Sequence, residues 1–163
     1  MDIRTYGDPV LRQQAVPIED IDDDVRALCE RMVEAMLRAN GVGLAAPQIG
    51  VSKRVIVLDV DGAFHVLINP ELIETSEETE PVIEGCLSVP GVDAPVERAT
   101  HAVIEGTNLQ GERVRIEGEG LLARAMQHEI DHLNGMLFVD HLGTARRQKL
   151  LKEYSRLARE EKD

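Results

Sequence analysis

The chain contains no tryptophan, and its aromatic side chains are limited to Tyr6, Phe64, Phe138 and Tyr154. Its core must therefore be mainly aliphatic, and it has no aromatic platform on which nucleic-acid bases could stack. Cysteine is scarcer still, because Cys29 and Cys86 are too few for a disulfide scaffold. No apolar run approaches the length that crosses a bilayer. The first residues, MDIRTYGDPVLRQQ, lack the basic-then-apolar pattern of a secretion signal. These absences predict a cytoplasmic protein with no membrane partner, in which a cysteine near histidines reads as a ligand rather than half of a disulfide. Positive charge is also in deficit. Eighteen Lys and Arg against 30 Asp and Glu give a net charge of −12, which argues against specific nucleic-acid binding as the main task. No repeat, low-complexity segment or Pro/Gly/Ser-rich linker divides the chain, so residues 1–163 are expected to form a single domain.

Two helices frame the sequence. Asp22, Asp23 and Asp24 supply an N-cap and first-turn acids for a helix with an apolar face of Val25, Leu28, Met32 and Met36, ending at Gly41. Cys29 lies beside that face and reads as a small buried hydrophobe. At the other end, Leu150, Leu151, Tyr154 and Leu157 form the stripe of a helix over 144–161. Residues 144–163 carry seven Lys and Arg against four Asp and Glu, a local balance of +3 that inverts the global trend. It reads as a solvated face or as a docking face for a polyanion.

The middle of the chain is strand-rich. RVIVLDV (54–60), FHVLINP (64–70) and ELIET (71–75) carry strand patterns, with Asp61-Gly62 marking a hairpin turn. Glu77, Glu78 and Glu80 read as a solvated acidic loop. EGCLSVPG (84–91) reads as a short Gly-flanked segment, and Arg98–Ile104 as a strand paired with Glu112–Ile116. GVGLAAPQIG (41–50) matches no phosphate loop. It is either a tight connection between packed neighbours or a loop whose backbone approaches a ligand, with Gln48 as the side chain able to donate hydrogen bonds there.

The chemistry gathers at QHEIDHLNG (127–135), on a helix predicted from near Gly120 to near Gly135. His128 and His132 stand at i and i+4, so both imidazoles face one side of the helix with Glu129 beside them. A metal ion held there with one position open to water can acidify that water and polarise a carbonyl. A longer HExxHxxGxxH motif fails, because Phe138 stands where a third histidine would be. Glu153 has no supporting pattern as a ligand. Cys86 is the better candidate, since a thiolate binds borderline ions well.

Three separated blocks, GVGLAAPQ (41–48), EGCLS (84–88) and QHEIDH (127–132), together resemble the signature motifs of the peptide deformylases. Their order and spacing agree, as do LINPEL (67–72), Arg98 and LNGMLFVDHL (133–142). The resemblance covers nearly the whole chain. It implies an α+β fold, with antiparallel strands packed around a central HExxH helix and with N-terminal and C-terminal helices. It implies removal of the formyl group from N-formylmethionyl peptides with release of formate. In that reading Cys86, His128 and His132 are the metal ligands, and the ion is Fe²⁺, with Zn²⁺, Ni²⁺ or Co²⁺ possible. Water activated at that ion attacks the formyl carbon while Glu129 acts as general acid/base. The Gln48 side chain and the Leu87 N–H meet the oxyanion, and Gly43 pairs with the substrate backbone. Val42, Leu44, Leu121 and Ala125 are expected around the methionine side chain. Arg98 is expected among the substrate-binding groups, or paired with Glu84 behind the cysteine loop. The C-terminal helix is expected to dock on a bacterial ribosome. An endopeptidase and a metal-holding protein without activity remain the rival readings.

Overall fold

The computed structural model describes residues 3–162. The first α-helix, α1 (Asp23–Arg38), starts where the Asp22 carboxylate accepts a hydrogen bond from the Val25 N–H at 3.0 Å. That bond satisfies one of the free donors of the first turn, and Asp23 and Asp24 add charge favourable to the helix dipole.

Five strands then build one antiparallel sheet: β1 (Gly43–Ala45), β2 (Val55–Val60), β3 (Ala63–Thr75), β6 (His101–Thr107) and β7 (Arg113–Glu119), in that spatial order. The turn between β2 and β3 uses Asp61 at φ 51° and Gly62 at φ 82°, the left-handed pair that a two-residue hairpin of this twist requires. Alternation along β2 explains its uninterrupted apolar sequence. Val55 and Val57 pack toward α1 with Leu28, Met32 and Met36, whereas Ile56, Leu58 and Val60 pack on the opposite face. That second face receives Ala123, Met126, Ile130 and Leu133 of α2 (Gly120–Leu133). Each buried Met, Ile or Leu here contributes roughly 1.5–3 kcal/mol. Helix α2 is therefore held against the sheet by one of its faces, which leaves another for function.

β4 (Thr79–Cys86) and β5 (Val89–Ala99) form a separate antiparallel pair. Three expectations change here. EGCLS is the tip of this hairpin rather than a loop, with Leu87 and Ser88 as its turn. Glu80 belongs to β4, not to an acidic loop; it shares a face with Val82 and Glu84 but stays in solvent because the first three residues of the strand, Thr79–Pro81, are all exposed. Arg98–Ile104 is not one strand: β5 stops at Ala99 and β6 starts at His101, because the chain crosses between the two sheets at Thr100. In β3 the register shifts between Ile68 and Glu71, where Asn69 takes φ 52° and its side-chain amide bonds both the N–H and the carbonyl of Ile18, at 2.8 and 2.7 Å.

A third cluster joins Leu11, Val89, Ala94 and Val96 to Leu137, Phe138, Val139 and Leu150. Phe138 is 1% exposed there, so the residue that breaks the longer histidine motif is a core residue. The last helix, α3 (Thr144–Lys162), packs on β5, with Tyr154 edge-on to Tyr6 at 5.9 Å between ring centroids.

Candidate metal centre and active site

Helix α2 presents His128, Glu129 and His132 to the tip of the β4–β5 hairpin. Gln127 aligns the two elements. Its side-chain carbonyl accepts from the Ala99 N–H at 3.1 Å, and its amide nitrogen donates to the carbonyls of Ala99 and Ala123 at 3.0 and 2.9 Å. The hairpin brings Cys86 to the histidines. Cys86 Sγ lies 3.3 Å from His132 Nε2, and the two Nε2 atoms lie 3.2 Å apart. All three donor atoms fall within 4.8 Å of one another.

This donor set fits a divalent ion. Ligands bonded tetrahedrally at about 2.0–2.3 Å stand roughly 3.3–3.8 Å apart, close to the spacings here. The electrostatics agree. Burial opposes charge on His128, but Glu129, Cys86 and Glu84 outweigh it and draw its pKa well above the ordinary value. The site therefore favours positive charge at that point. Burial, followed by His128, pulls His132 well below its ordinary value, which keeps it in the neutral, ligating form.

Behind the ligands runs a chain of charge-assisted bonds. His128 Nδ1 meets Glu84 Oε1, leaving Nε2 for a metal. Arg98 Nε donates to Glu84 Oε2 at 2.9 Å and Arg98 Nη1 to Asp131 Oδ2 at 2.8 Å; His141 Nε2 bonds the same Asp131 oxygen at 2.8 Å. Burial alone would raise the Glu84 pKa, but the bonds from Arg98 and His128 outweigh it and bring it down to about 2. Burial also works against the charge on Arg98, yet Glu84 and Asp131 hold its pKa above the ordinary value. Arg98 is 4% exposed and does not reach the cavity. The expectation that it touches substrate is thereby corrected, because its donors are committed to Glu84 and Asp131.

A cavity of about 770 Å³ opens on this site. One wall is the α2 face with Leu121, Arg124, Ala125, His128 and Glu129; the others are Asn40–Gly43 and the hairpin, including Val82, Leu87 and Val92. Gln48 is 2% exposed and bridges the walls. Its carbonyl accepts from the Ala45 N–H at 2.9 Å, while its amide nitrogen lies 3.2 Å from Ser88 Oγ and 3.6 Å from Cys86 Sγ. Glu129 is 5% exposed, its Oε1 has no partner among the described residues, and burial pushes its carboxyl up to about 7. That is the behaviour of a group able to hold and release a proton near neutrality. Gly43 lies against it so closely that a Cβ would meet Glu129 Oε2 at 2.6 Å.

Of the residues expected around the methionine pocket, Val42, Leu121 and Ala125 line the cavity. Leu44 does not. It is 0% exposed and packs toward α1, because adjacent strand residues face opposite sides and Gly43 occupies the cavity side. Sequence reasoning did not assign Gln127, Ser88, Asp131 or His141. Only their presence inside or beside the motif blocks hinted at them, since their partners lie on other elements.

The family model described as polypeptide deformylase matches residues 1–148. A peptide deformylase of Carboxydothermus hydrogenoformans is 58% identical over 134 residues, covering 82% of this chain and 88% of that protein. The crystal structure of a peptide deformylase from Legionella pneumophila superposes with TM-score 0.93 at 40% identity, covering 98% of this chain and 96% of that one. The Synechococcus elongatus enzyme in complex with actinonin gives TM-score 0.89 at 42% identity, covering 94% of this chain and 85% of that one.

Proposed function

The chain belongs to the peptide deformylase family, whose members remove the N-formyl group from N-terminal formylmethionine, and we propose that Glu129, Gln48 and Leu87 carry that reaction beside Cys86, His128 and His132 as metal ligands. The observation that carries the assignment is the convergence of Cys86 Sγ and two imidazole nitrogens beneath an unpartnered, buried Glu129 oxygen. Cys86, His128 and His132 would hold a divalent ion, which we take to be Fe²⁺, and when bound it would lower the pKa of a water and polarise the formyl carbonyl. Glu129 accepts the proton of the attacking water and passes it to the departing amine, a role its raised pKa supports. Charge developing on the formyl oxygen is met by the Gln48 amide, supported by its position 3.6 Å from Cys86 Sγ, and by the Leu87 N–H at the hairpin tip. The Glu84 carboxylate fixes the His128 ring so that Nε2 faces the site.

The substrate enters as an extended chain. Among the described residues β1 pairs only with β2 and β4 only with β5, so each has one open edge, and Gly43 offers its backbone without a side chain in the way. Val42, Leu121 and Ala125 receive the methionine side chain. The whole chain acts as one cytoplasmic catalytic domain, and no helix of the described residues is long and apolar enough to cross a membrane. α3 docks the enzyme on the ribosome through Arg146, Lys149 and Lys152. These side chains are exposed and outside the ion pairs that occupy Arg147 and Arg156. Reversing them to Glu should abolish co-sedimentation with ribosomes at low salt.

The central test is formate release from formyl-Met-Ala-Ser by anaerobically purified protein, with metal content measured on the same sample. Glu129→Gln should keep about one ion per chain and lose roughly 10²–10⁴-fold in kcat. Turnover surviving in that variant, or cleavage of unformylated peptides instead, would reject the reading. Actinonin, present in the Synechococcus complex, should inhibit.

A further inference from the structure

Arg124 is the one Lys or Arg among the described residues lining the cavity, and the reaction leaves it unused. It stands one helical turn before His128 on the cavity face of α2, next to Leu121 and Ala125. Its Nε is buried and has no acceptor among the described residues. The other arginines that are not exposed behave differently. Arg54 donates to the Leu133 carbonyl, Arg98 is bound to Glu84 and Asp131, and Arg147 pairs with Asp140. A chain with 30 acidic residues has thus left this one cation of the cavity without a carboxylate. The acidic groups that line the same cavity are engaged otherwise: Glu84 is held by Arg98 and His128, Glu129 faces the reacting centre, and Asp93 is exposed on the hairpin wall. That atom is covered by protein, but the side chain lines the cavity with no carboxylate partner among the described residues, so its charge acts on whatever enters, and the group entering this cavity is the substrate.

An extended peptide presents alternate side chains to the same side. If the methionine side chain lies against Leu121 and Ala125, the side chain of the third residue faces the same wall, where Arg124 stands. We propose that Arg124 is a specificity residue that favours formyl peptides with an anionic side chain at the third position and disfavours cationic ones. The inference rests on the formylmethionine reading above.

The test compares kcat/KM for C-terminally amidated formyl-Met-Ala-Glu, formyl-Met-Ala-Gln and formyl-Met-Ala-Lys, so that no terminal carboxylate competes. The Glu peptide should exceed the Lys peptide by about tenfold, mainly through KM, as expected for one charge-assisted contact in a half-wet site. Within Arg124→Gln the ratio should fall to about one, and within Arg124→Glu it should invert. Reading the ratio inside each variant cancels any general loss of activity. In the unsubstituted enzyme the ratio should also shrink severalfold as salt rises from roughly 20 mM to 500 mM, because a charge that is only partly buried is still screened. A ratio near one in the unsubstituted enzyme, one independent of salt, or one that survives Arg124→Gln would overturn the proposal. Turnover of the uncharged Gln peptide belongs to the deformylase reading alone. Its absence with every peptide would sink both, whereas its presence with a flat charge profile would sink only this one.

Discussion

Gly43 faces the carboxylate of Glu129 with no room for a methyl group, since a Cβ there would stand 2.6 Å from Oε2 and 3.1 Å from Cδ. Both atoms belong to a side chain that is 5% exposed, so the carboxylate cannot swing into open solvent to make way. Gly43→Ala should displace the Glu129 carboxylate rather than unfold the strand. The expected result is a fall in kcat of about 10²-fold, the order associated with a misplacement near 1 Å, with metal content unchanged. Unchanged kcat would show that Glu129 does not need that position.

Removing the thiolate should cost the metal. Cys86→Ser keeps the shape of the hairpin tip but offers a poorer ligand to a borderline ion, so metal content after dialysis should fall well below that of the parent. The two cysteines also predict a labelling pattern. Cys29 is 2% exposed and burial raises its thiol to about 11, so it should stay inert to thiol reagents until the protein unfolds. Cys86, half-buried at the cavity, should become reactive when a chelator strips the ion. One thiol labelled per folded chain after chelation, and about none before, is the expected count.

The Arg98 pairs make a third case. Arg98→Met would leave the Glu84 and Asp131 carboxylates deprived of their shared cation in a site where Arg98 itself is 4% exposed. Breaking one side of such a buried pair costs about 3–5 kcal/mol, to be read as a lower denaturation midpoint. Because Glu84 also orients His128, metal affinity should fall along with stability, by about 10- to 100-fold. A loss of stability with metal affinity intact would separate the two roles.

Asp140 gives the pH dependence. Burial works to raise its pKa, but the Arg12 guanidinium, the Leu137 N–H and Arg147 outweigh that and hold it below the usual carboxylate range. A depressed folded-state value means that the ionised form stabilises the fold. That contribution is complete above the ordinary Asp value near 3.8 and is lost as pH falls through the lower folded value. Asp140→Asn should therefore lower stability at pH 7 by about 1 kcal/mol, and the gap to the parent should close below about pH 4. A gap that persists at low pH would mean that the carboxylate acts through shape rather than charge.

Much of this protein is determined by local sequence alone. The 3.6-residue stripe of α1, the left-handed Asp61-Gly62 turn and the i, i+4 histidines of α2 depend only on neighbours along the chain, and each forms where its pattern lies. What local pattern encodes is a face, not the partner of that face. Cys86 meets His132 across 46 residues only because β4 and β5 pair and α2 packs beside their tip. The same long-range register put Gly43 at the cavity and turned Leu44 away, a choice that one residue's shift along β1 would reverse. It also committed Arg98 to Glu84 and Asp131 and left Arg124 facing the cavity unpaired among the described residues. The two arginines are chemically alike in the sequence. Only the packing of a strand and a helix around them decided which one closes the structure and which one remains open to a ligand.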